Sequence, residues 1–280
     1  MPGLFLAATP IGTAGDVTLR VLDALRDADI IAAEDTRRTQ TLMTLHGIER
    51  SGKRMVPYHD HNAASQRPRL LAAISEGKSV VCVSDAGTPL IADPGWRLAR
   101  DAIDQGLLVQ ALPGASALLA ALTVSGLPTD RFMFAGFLPP KQAARRAELN
   151  TLAAVPGTLV FYESPRRLAA LLAEMALTLG PERQAAVSRE LTKRHEETRR
   201  GTVGELAAHY SDTEPRGEIV VSVGPPLPRQ ATEEDLDKAL RAALVTDRVG
   251  DAARIVAQKL GLPRREVYNR ALVLMEEDIR

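Results

Sequence analysis

Short apolar segments alternate with longer amphipathic ones through the first three quarters of the chain, a pattern typical of α/β proteins. The segments that we expect to form the first strands are Leu4–Ala8, Ile30–Ala33, Ser79–Val83 and Leu107–Ala111. Leucine and isoleucine residues at helical spacing predict helices over Thr18–Asp27 and Arg67–Ser75. Strands that are apolar on both faces are typical of parallel sheets. The pattern therefore predicts a first domain built on a mainly parallel sheet.

After Pro113 the predicted strands lie closer together along the chain. They are Phe132–Ala135, Thr158–Tyr162, Ala185–Ser188, Glu197–Gly201 and Glu218–Val223. Short connections favour antiparallel neighbours, so we expect a second sheet that is mixed or antiparallel. Ser116 precedes the apolar run ALLAAL and is a candidate N-cap for a helix there.

Prolines at positions 225, 226 and 228 interrupt this pattern, and only helical segments follow. These segments are Glu233–Val245, Asp251–Leu260 and Arg264–Glu277. Gly261 and Pro263 suit the turn of a helix-turn-helix, although a helical pair that packs on the body or on a second subunit fits the pattern equally well. We predict an N-terminal α/β domain (1–112), a C-terminal α/β domain (113–226) and a helical appendage (227–280).

Charge and composition narrow the class of protein. The 280 residues hold 35 Lys and Arg and 35 Asp and Glu, so nucleic-acid contacts would have to come from local basic patches. The single cysteine, Cys82, excludes an intramolecular disulfide and a cysteine-cluster zinc site. The His59–Asp60–His61 cluster could suggest a metal site, since alternate residues of a strand share a face, but no third ligand is evident, so we expect no metal. No apolar run reaches membrane-spanning length, which predicts a soluble cytoplasmic protein without membrane contact.

Several predicted strands run directly into turns of glycine, proline and small polar residues. The clearest case is VCVSDAGTPLIADPG at 81–95, and LFLAATPIGTAG, LLVQALPGASA and FMFAGFLPP repeat the arrangement. Ligands of open α/β sheets bind at the carboxyl ends of strands, so these junctions indicate one small-molecule crevice. Neither a G-x-G-x-x-G nor a P-loop sequence is present, which disfavours a Rossmann dinucleotide site and a P-loop.

The motifs TPIGTAGDVT, AEDTR, SDAGTPLIADPG, LPGASA, FAGFLP, YESPRR, SRELTK and RGEIVV occur in this order between Leu4 and Gly224. In this the chain resembles the small-subunit ribosomal RNA 2′-O-methyltransferase I family of the tetrapyrrole methylase superfamily. The resemblance implies two α/β domains with S-adenosylmethionine between them. Tetrapyrrole-modifying relatives carry Gly-Asp-Pro where this chain has Gly87, Thr88 and Pro89, which favours the RNA-methylating branch.

The same resemblance implies a set of cofactor-binding residues. Carried over by position, they are Pro10, Asp85, Thr88, Pro89, Ile91, Ser116, Ala117, Tyr162, Gly217 and Glu218. Small residues at strand ends allow close approach to the cofactor, and the Tyr162 ring offers a flat face for adenine or ribose. A core position at a strand end is the alternative for this tyrosine.

Methyl transfer to a ribose hydroxyl benefits from a group that accepts the hydroxyl proton. The candidate bases are Glu34, Asp35 and Glu190, each of which has arginine or lysine nearby in the sequence. Ordinary surface salt bridges have the same appearance. Candidate RNA-binding residues are Arg37, Arg38, His61, Asn62, Lys141, Arg145, Arg166 and Lys193, with Arg146, Arg167 and Arg194 beside them.

The activity expected from these features is S-adenosylmethionine-dependent methylation of a cytidine ribose in small-subunit ribosomal RNA. The partner would be that RNA or the assembled small subunit, and the resemblance also implies a homodimer. Two alternatives remain open: a methyltransferase of a cyclic tetrapyrrole, and a noncatalytic RNA-binding protein with the same fold.

Overall fold

The computed structural model describes residues 2–50, 52–92, 95–227 and 232–277. The chain forms two compact units, residues 1–226 and residues 227–280. The first unit contains two five-stranded sheets, one formed before residue 113 and one after it. The predicted boundary between residues 112 and 113 thus falls between the sheets, but both sheets belong to one compact unit, and the domain division stays a prediction.

The first sheet has the strand order β3-β2-β4-β1-β5, and all of its neighbouring strands are parallel. Its strands are β1 (Gly3–Ala7), β2 (Ile30–Ala33), β3 (Arg54–Pro57), β4 (Ser79–Val83) and β5 (Val109–Leu112). A short 3-10 helix (Ala14–Asp16) and the helices α1 (Leu19–Asp27), α2 (Thr36–Leu45), α3 (Ala63–Ser75) and α4 (Trp96–Asp104) connect them. A mainly parallel sheet was predicted, and this prediction is confirmed.

The central strands β2 and β4 are buried along nearly their whole length, which explains their continuous apolar sequences. Strand β3 was not predicted from the sequence. It lies at the sheet edge, starts with the exposed Arg54 and ends with Pro57, so its pattern lacks the apolar run of the buried strands. Helix α3 begins at Ala63, four residues earlier than Arg67, the predicted start.

The second sheet has the order β6-β7-β10-β8-β9. Its strands are β6 (Phe132–Phe137), β7 (Thr158–Glu163), β8 (Gln184–Arg189), β9 (Glu197–Thr202) and β10 (Ile219–Val223). Strands β6 and β7 are parallel and the other pairs are antiparallel, so the mixed sheet predicted for this part is confirmed. The helices of this part are α5 (Ala117–Val124), α6 (Gln142–Leu152), α7 (Pro165–Leu179) and α8 (Val203–Tyr210).

Ser116 is the N-cap of α5, as predicted, and its hydroxyl accepts a hydrogen bond from the N–H of Leu119 at 3.5 Å. At the end of the second sheet where β8 begins, the Arg183 side chain is fully buried. It donates to the carbonyl oxygens of Gly224 at 2.6 Å and Ala153 at 3.1 Å. Burial lowers the pKa of this guanidinium. Arg183 therefore stabilises the fold and is not available for RNA.

The second unit consists of α9 (Glu233–Leu244), α10 (Val249–Leu260) and α11 (Arg264–Glu277) around an apolar core. These helices match the predicted segments within two residues. Gly261 ends α10 in a left-handed conformation with φ of 66°, which suits the predicted turn. Pro228, one of the prolines that marked this boundary, lies outside the described residues.

Candidate functional site

A cavity of about 440 Å³ lies in the first unit, where loops that follow strands of both sheets meet. Apart from Arg38, which directly follows AEDTR, its lining residues come from the sequence motifs noted above. The lining residues are Ile11, Glu34, Arg38, Asp85, Ala86, Gly87, Thr88, Ile91, Ala92, Ser116, Ala117, Phe137, Tyr162, Glu163, Ser164, Pro165, Gly217, Glu218, Ile219 and Val220. The expected crevice at the strand–glycine and strand–proline junctions therefore exists as a cavity.

Backbone hydrogen bonds join the loops of the first sheet at this cavity. Thr9 and Gly87 exchange two N–H···O bonds, both 2.9 Å long. Gly87 has φ of 78°, a conformation that favours glycine. The Thr88 hydroxyl donates to the carbonyl oxygen of Ala115 at 3.1 Å. The loops after β1, β4 and β5 are thus held to one another before any ligand binds.

Two carboxylates cross-link the ends of β2 and β4. The N–H of Asp85 donates to Oε2 of Glu34 at 3.0 Å, and the N–H of Asp35 donates to Oδ1 of Asp85 at 2.9 Å. Arg38 Nε lies 3.6 Å from Oδ2 of Asp85. The Glu34 and Asp85 side chains line the cavity, so the cross-link fixes two carboxylates at its wall.

Glu190, Lys193 and Glu218 form an ionic cluster at the start of β10. Lys193 Nζ lies 2.8 Å from both Oε1 of Glu190 and Oε2 of Glu218. The hydrogen bond from Lys193 is the main reason why the pKa of Glu190 lies below its ordinary value. Burial lowers the pKa of Lys193, but its hydrogen bonds to the two carboxylates outweigh this effect and leave the pKa raised.

The loop that carries this cluster also contacts the first sheet. The N–H of Thr13 donates to the Thr192 hydroxyl at 3.1 Å, and the Thr13 hydroxyl donates to the carbonyl oxygen of Thr192. Glu190 and Thr192 have left-handed backbones, with φ of 52° and 64°. Non-glycine residues in this conformation cost free energy and are frequent at functional sites.

An aromatic group forms one wall of the cavity. The Tyr162 ring packs edge-on against Phe134 and Phe137, with centroid distances of 4.8 and 5.6 Å. Tyr162 and Phe137 both line the cavity, and Tyr162 is only half-buried. The tyrosine thus presents part of its ring to the space that a planar ligand group would occupy.

Eight of the ten predicted cofactor-binding residues line this cavity: Asp85, Thr88, Ile91, Ser116, Ala117, Tyr162, Gly217 and Glu218. Pro10 lies at an adjoining cavity of about 170 Å³, which shares Arg38 and Asp85 with the large one. Pro89 is buried and is not among the residues that line either cavity.

The three predicted bases have different surroundings. Glu34 lines the cavity, whereas Asp35 and Glu190 do not. Asp35 is the N-cap of α2, and its bonds to the side chain and N–H of Arg37 lower its pKa to about 2. Glu190 reaches the cavity indirectly, because its Oε1 accepts the N–H of Glu218 at 3.1 Å. Both lowered pKa values make these two carboxylates weaker proton acceptors than an ordinary one.

The predicted RNA-binding residues are spread over several elements. Arg38 lines both cavities, and the exposed Arg37 pairs with Asp35 at 3.0 Å. Lys193 belongs to the ionic cluster. Arg166 is exposed at the start of α7, and Lys141 is the exposed N-cap of α6.

Other members of the set have structural partners. Arg145 is buried and donates to the carbonyl oxygen of Pro140 at 3.3 Å. Arg146 pairs with the buried Glu174, and Arg167 lies 3.3 Å from Oε2 of the buried Glu163. His61 and Asn62 lie in the turn before α3, where Asn62 bonds to the backbone of Pro57 and His59.

The His59–Asp60–His61 segment is a turn and not a strand, so alternate side chains do not share a sheet face. Among the residues that the structure describes, no group of three or more histidine, cysteine or acidic side chains is arranged to hold a metal ion. Within the same ranges, none of the helices combines the length and apolar character needed to cross a bilayer.

Sequence reasoning did not select Phe137, Glu163, Ser164 and Pro165, although all four line the cavity. Phe137 lies within the motif FAGFLP, and Glu163, Ser164 and Pro165 directly follow Tyr162 within YESPRR. Their place in these motifs was the available signal in the sequence. Glu163 is the last residue of β7. In the fold it is buried, and its Oε1 accepts the N–H of Ser164 at 2.8 Å.

Comparisons with known proteins agree with this architecture. A family model described as Tetrapyrrole (Corrin/Porphyrin) Methylases matches residues 3–207, and another described as RsmI C-terminal HTH domain matches residues 230–274. A solved structure of uroporphyrin-III C-methyl transferase from Thermus thermophilus, in complex with S-adenyl homocysteine, covers 79% of this chain and 97% of its own, with a TM-score of 0.55 and 21% identity. This structural likeness supports the fold.

Two full-length relatives are both described as ribosomal RNA small subunit methyltransferase I. The protein from Mesorhizobium japonicum is 49% identical over 276 residues, which cover 98% of this chain and 93% of that protein. The protein from Erythrobacter litoralis is 52% identical over 273 residues, with coverage of 98% and 95%. Identity at this level over nearly the whole length confirms the resemblance seen in the motifs, and the chain belongs to the ribosomal RNA small subunit methyltransferase I family of the tetrapyrrole methylases.

Proposed function

We propose that this protein transfers the methyl group of S-adenosylmethionine to the ribose 2′-hydroxyl of a cytidine in small-subunit ribosomal RNA. The observation that supports this most directly is the cavity itself. Loops from eight separated stretches of sequence, from TPIG to RGEIVV, contribute to one space or to its immediate border. Family membership supplies the reaction class, since the relatives are named as ribosomal RNA methyltransferases.

The residues present fit S-adenosylmethionine. A cavity of about 440 Å³ falls in the usual range for small-molecule sites. Its wall combines apolar side chains such as Ile11 and Tyr162 with polar groups of Glu34, Asp85 and Ser116. Aromatic and aliphatic surfaces suit an adenine ring, and the carboxylates suit its positively charged amine and sulfonium groups. The aromatic wall and the carboxylate wall therefore serve different parts of one cofactor.

Bound S-adenosylmethionine would supply an electrophilic methyl group for transfer to the ribose oxygen, with the bonding electron pair left on sulfur. The hydroxyl proton must leave in the same step or soon afterwards. Among the carboxylates that line the cavity, which also include Asp85, Glu163 and Glu218, we assign Glu34 to accept it. Its Oε2 accepts the N–H of Asp85, so the side chain is held in place for this role.

We further propose that the protein works in the cytoplasm as a homodimer. Strand β6 is an edge strand, and its Phe132 and Met133 side chains are both 43% exposed. Large apolar side chains exposed on an open sheet edge favour a protein partner. Light scattering that returned only the mass of one chain at micromolar concentration would contradict the dimer.

The test of the activity uses purified protein, cofactor with a labelled methyl group, and small ribosomal subunits that lack the modification. Digestion of the RNA to nucleosides, followed by mass spectrometry, should show label in 2′-O-methylcytidine. Protein-free small-subunit RNA and assembled subunits are used in parallel to identify the substrate form.

Two other outcomes would overturn the proposal. When a tetrapyrrole precursor is incubated in parallel, label in this precursor and not in RNA would identify a tetrapyrrole methyltransferase. RNA binding without calorimetric binding of S-adenosylmethionine would identify a noncatalytic RNA-binding protein.

A further inference from the structure

An open cavity of about 360 Å³ lies beside the proposed cofactor site. Its lining residues are Ser164, Pro165, Arg166, Glu214, Pro215, Arg216 and Gly217. Ser164, Pro165 and Gly217 also line the large cavity, so the two spaces share a wall. A ligand that leaves the large cavity over this wall enters the open one.

Two arginines define the charge of this open cavity. Arg166 and Arg216 are both exposed, and neither forms an ion pair within the described ranges of the chain. By contrast, several other cationic side chains near the site are already paired: Arg37 with Asp35, Lys193 with Glu190, and Arg167 with Glu163. Arg166 and Arg216 therefore keep their guanidinium groups available for an external anion.

The charge balance of the cavity suits a monoanion. Two arginines and Glu214 give its lining a formal charge of one positive unit. A phosphodiester carries one negative charge, and arginine binds phosphate oxygens through two parallel N–H donors. The openness of the cavity to solvent suits a chain that continues beyond the site on both sides, which is the geometry of a single RNA strand.

We propose that Arg166 and Arg216 bind one phosphodiester of the RNA strand next to the methylated nucleotide, so that the acceptor ribose is directed into the large cavity. This inference rests on the proposed function and adds a substrate subsite to it. Arg216 was not among the RNA-binding residues predicted from the sequence, although it is the first residue of the motif RGEIVV, just before β10.

The experiment compares the parent with Arg166→Gln, Arg216→Gln and the double variant. The matched control is the double variant Arg20→Gln/Arg69→Gln. It removes the same charge from two exposed arginines that line none of the three cavities and form no ion pair in the described part of the chain. Binding to small ribosomal subunits is measured between 50 and about 200 mM salt, where counterion release is resolved. Methyl transfer and calorimetric cofactor binding are measured on the same preparations.

We expect each single variant to raise the KM for subunits roughly tenfold, the usual effect of losing one charge-assisted hydrogen bond. The salt slope, the slope of the logarithm of the binding constant against the logarithm of the salt concentration, should stay near that of the parent in each single variant, because the remaining arginine still neutralises the phosphate. It should become shallower by about 0.7 in the double variant. The value of kcat and the affinity for S-adenosylmethionine should match the parent and the control.

The outcomes separate this inference from the proposed function. A parent protein that transfers no methyl group to RNA would contradict the function, and the salt slope of subunit binding would still test the arginines. A parent that methylates RNA, with KM and salt slope unchanged in the double variant, would overturn the subsite. A salt slope that falls in each single variant and about twice as far in the double variant would show two separate phosphate contacts and overturn the shared one.

Discussion

The side chain of Glu190 occupies the space that a Cβ atom on residue 217 would need. Gly217 also has φ of 92°, a conformation that L side chains rarely adopt. Because Glu190 bonds to both Lys193 and the N–H of Glu218, this close approach fixes the loop that borders the cavity. A glycine is therefore required here for two independent reasons.

Gly217→Ala should weaken cofactor binding as well as stability. The matched control is Gly77→Ala, because Gly77 has φ of 87° but no atom lies within 4 Å of the added Cβ. Both variants should lose about 1–2 kcal/mol of unfolding free energy from the left-handed backbone. Gly217→Ala should lose more, since Glu190 must move, and calorimetry should show weaker binding of S-adenosylmethionine for this variant alone.

Equal losses of stability in the two variants, with cofactor affinity unchanged, would show that the Glu190 loop shifts without effect on the cavity. The ionic cluster would then have no part in shaping the site.

A second prediction concerns the cross-link between Glu34 and Asp85. Asp85→Ala removes the acceptor of the Asp35 N–H and the partner of Arg38. It should therefore lower the unfolding free energy by about 1–3 kcal/mol. The protein should stay folded but lose cofactor binding. Asp85→Asn keeps an amide oxygen at the acceptor position and should retain more stability. Urea unfolding measures the stability, and calorimetry measures the cofactor affinity. If Asp85→Ala bound the cofactor as tightly as the parent does, Asp85 would not belong to the cofactor site.

Much of the fold could be predicted because its central strands are buried. The apolar runs of β2 and β4 specify strands without ambiguity, and the strand ends locate the cavity. Strand β3 was missed because an edge strand that contains Arg54 and Pro57 lacks such a run. Helix α3 starts before its leucines because Asn62, whose side chain bonds to Pro57 and His59, orders the turn in front of it.

The site was predictable where motifs place small residues after strands, as with Thr88, Ser116 and Gly217. The contacts of charged side chains were not predictable in this way. Arg145 and Arg166 lie in similar basic pairs in the sequence, yet Arg145 is buried against Pro140 and Arg166 lines an open cavity. Which arginine packs inward depends on how α6 and α7 lie on the second sheet, and the local sequence does not specify this.

Ser116 offers a test of the cavity itself. Ser116→Trp places an indole in the cavity wall and should abolish binding of S-adenosylmethionine by filling space. The control is Ser116→Ala, which removes the N-cap of α5 and leaves the cavity open. It should lower the unfolding free energy by about 0.5–2 kcal/mol. If the tryptophan variant bound the cofactor as the alanine variant does, the cofactor would have to lie elsewhere.

The assignment of Glu34 as proton acceptor leads to an ordered prediction for three isosteric variants. Glu34→Gln should lower kcat about 10²–10⁴-fold with both substrates still bound. Asp35→Asn and Glu190→Gln should have smaller effects on kcat, because these carboxylates have lowered pKa values and do not line the cavity. Single-turnover methyl transfer measures the chemical step. If none of the three variants is slower, positioning with proton loss to water accounts for the reaction.

The last prediction concerns the dependence of stability on pH. The pKa of Glu190 is lowered in the folded protein, mainly by the hydrogen bond from Lys193, and Lys193 stays protonated through the acid range. A lowered carboxylate pKa contributes stability above the unfolded-state value, about 4.3, and this contribution disappears as the pH falls through the folded-state value. The difference in unfolding free energy between the parent and Glu190→Gln should thus be largest at pH 7 and shrink below about pH 4.

Urea unfolding at pH 7, 5 and about 3.5 measures this difference across the range where carboxylates titrate. The control Glu148→Gln removes an exposed carboxylate of α6 that forms no ion pair in the described part of the chain, and it reports the general effect of losing one negative charge. Lys193→Met, like Glu190→Gln, should make the stability of the protein depend less on pH, because it removes the main cause of the lowered pKa of Glu190. If the difference in unfolding free energy between the parent and Glu190→Gln stayed constant with pH, the ion pair with Lys193 would not stabilise the fold.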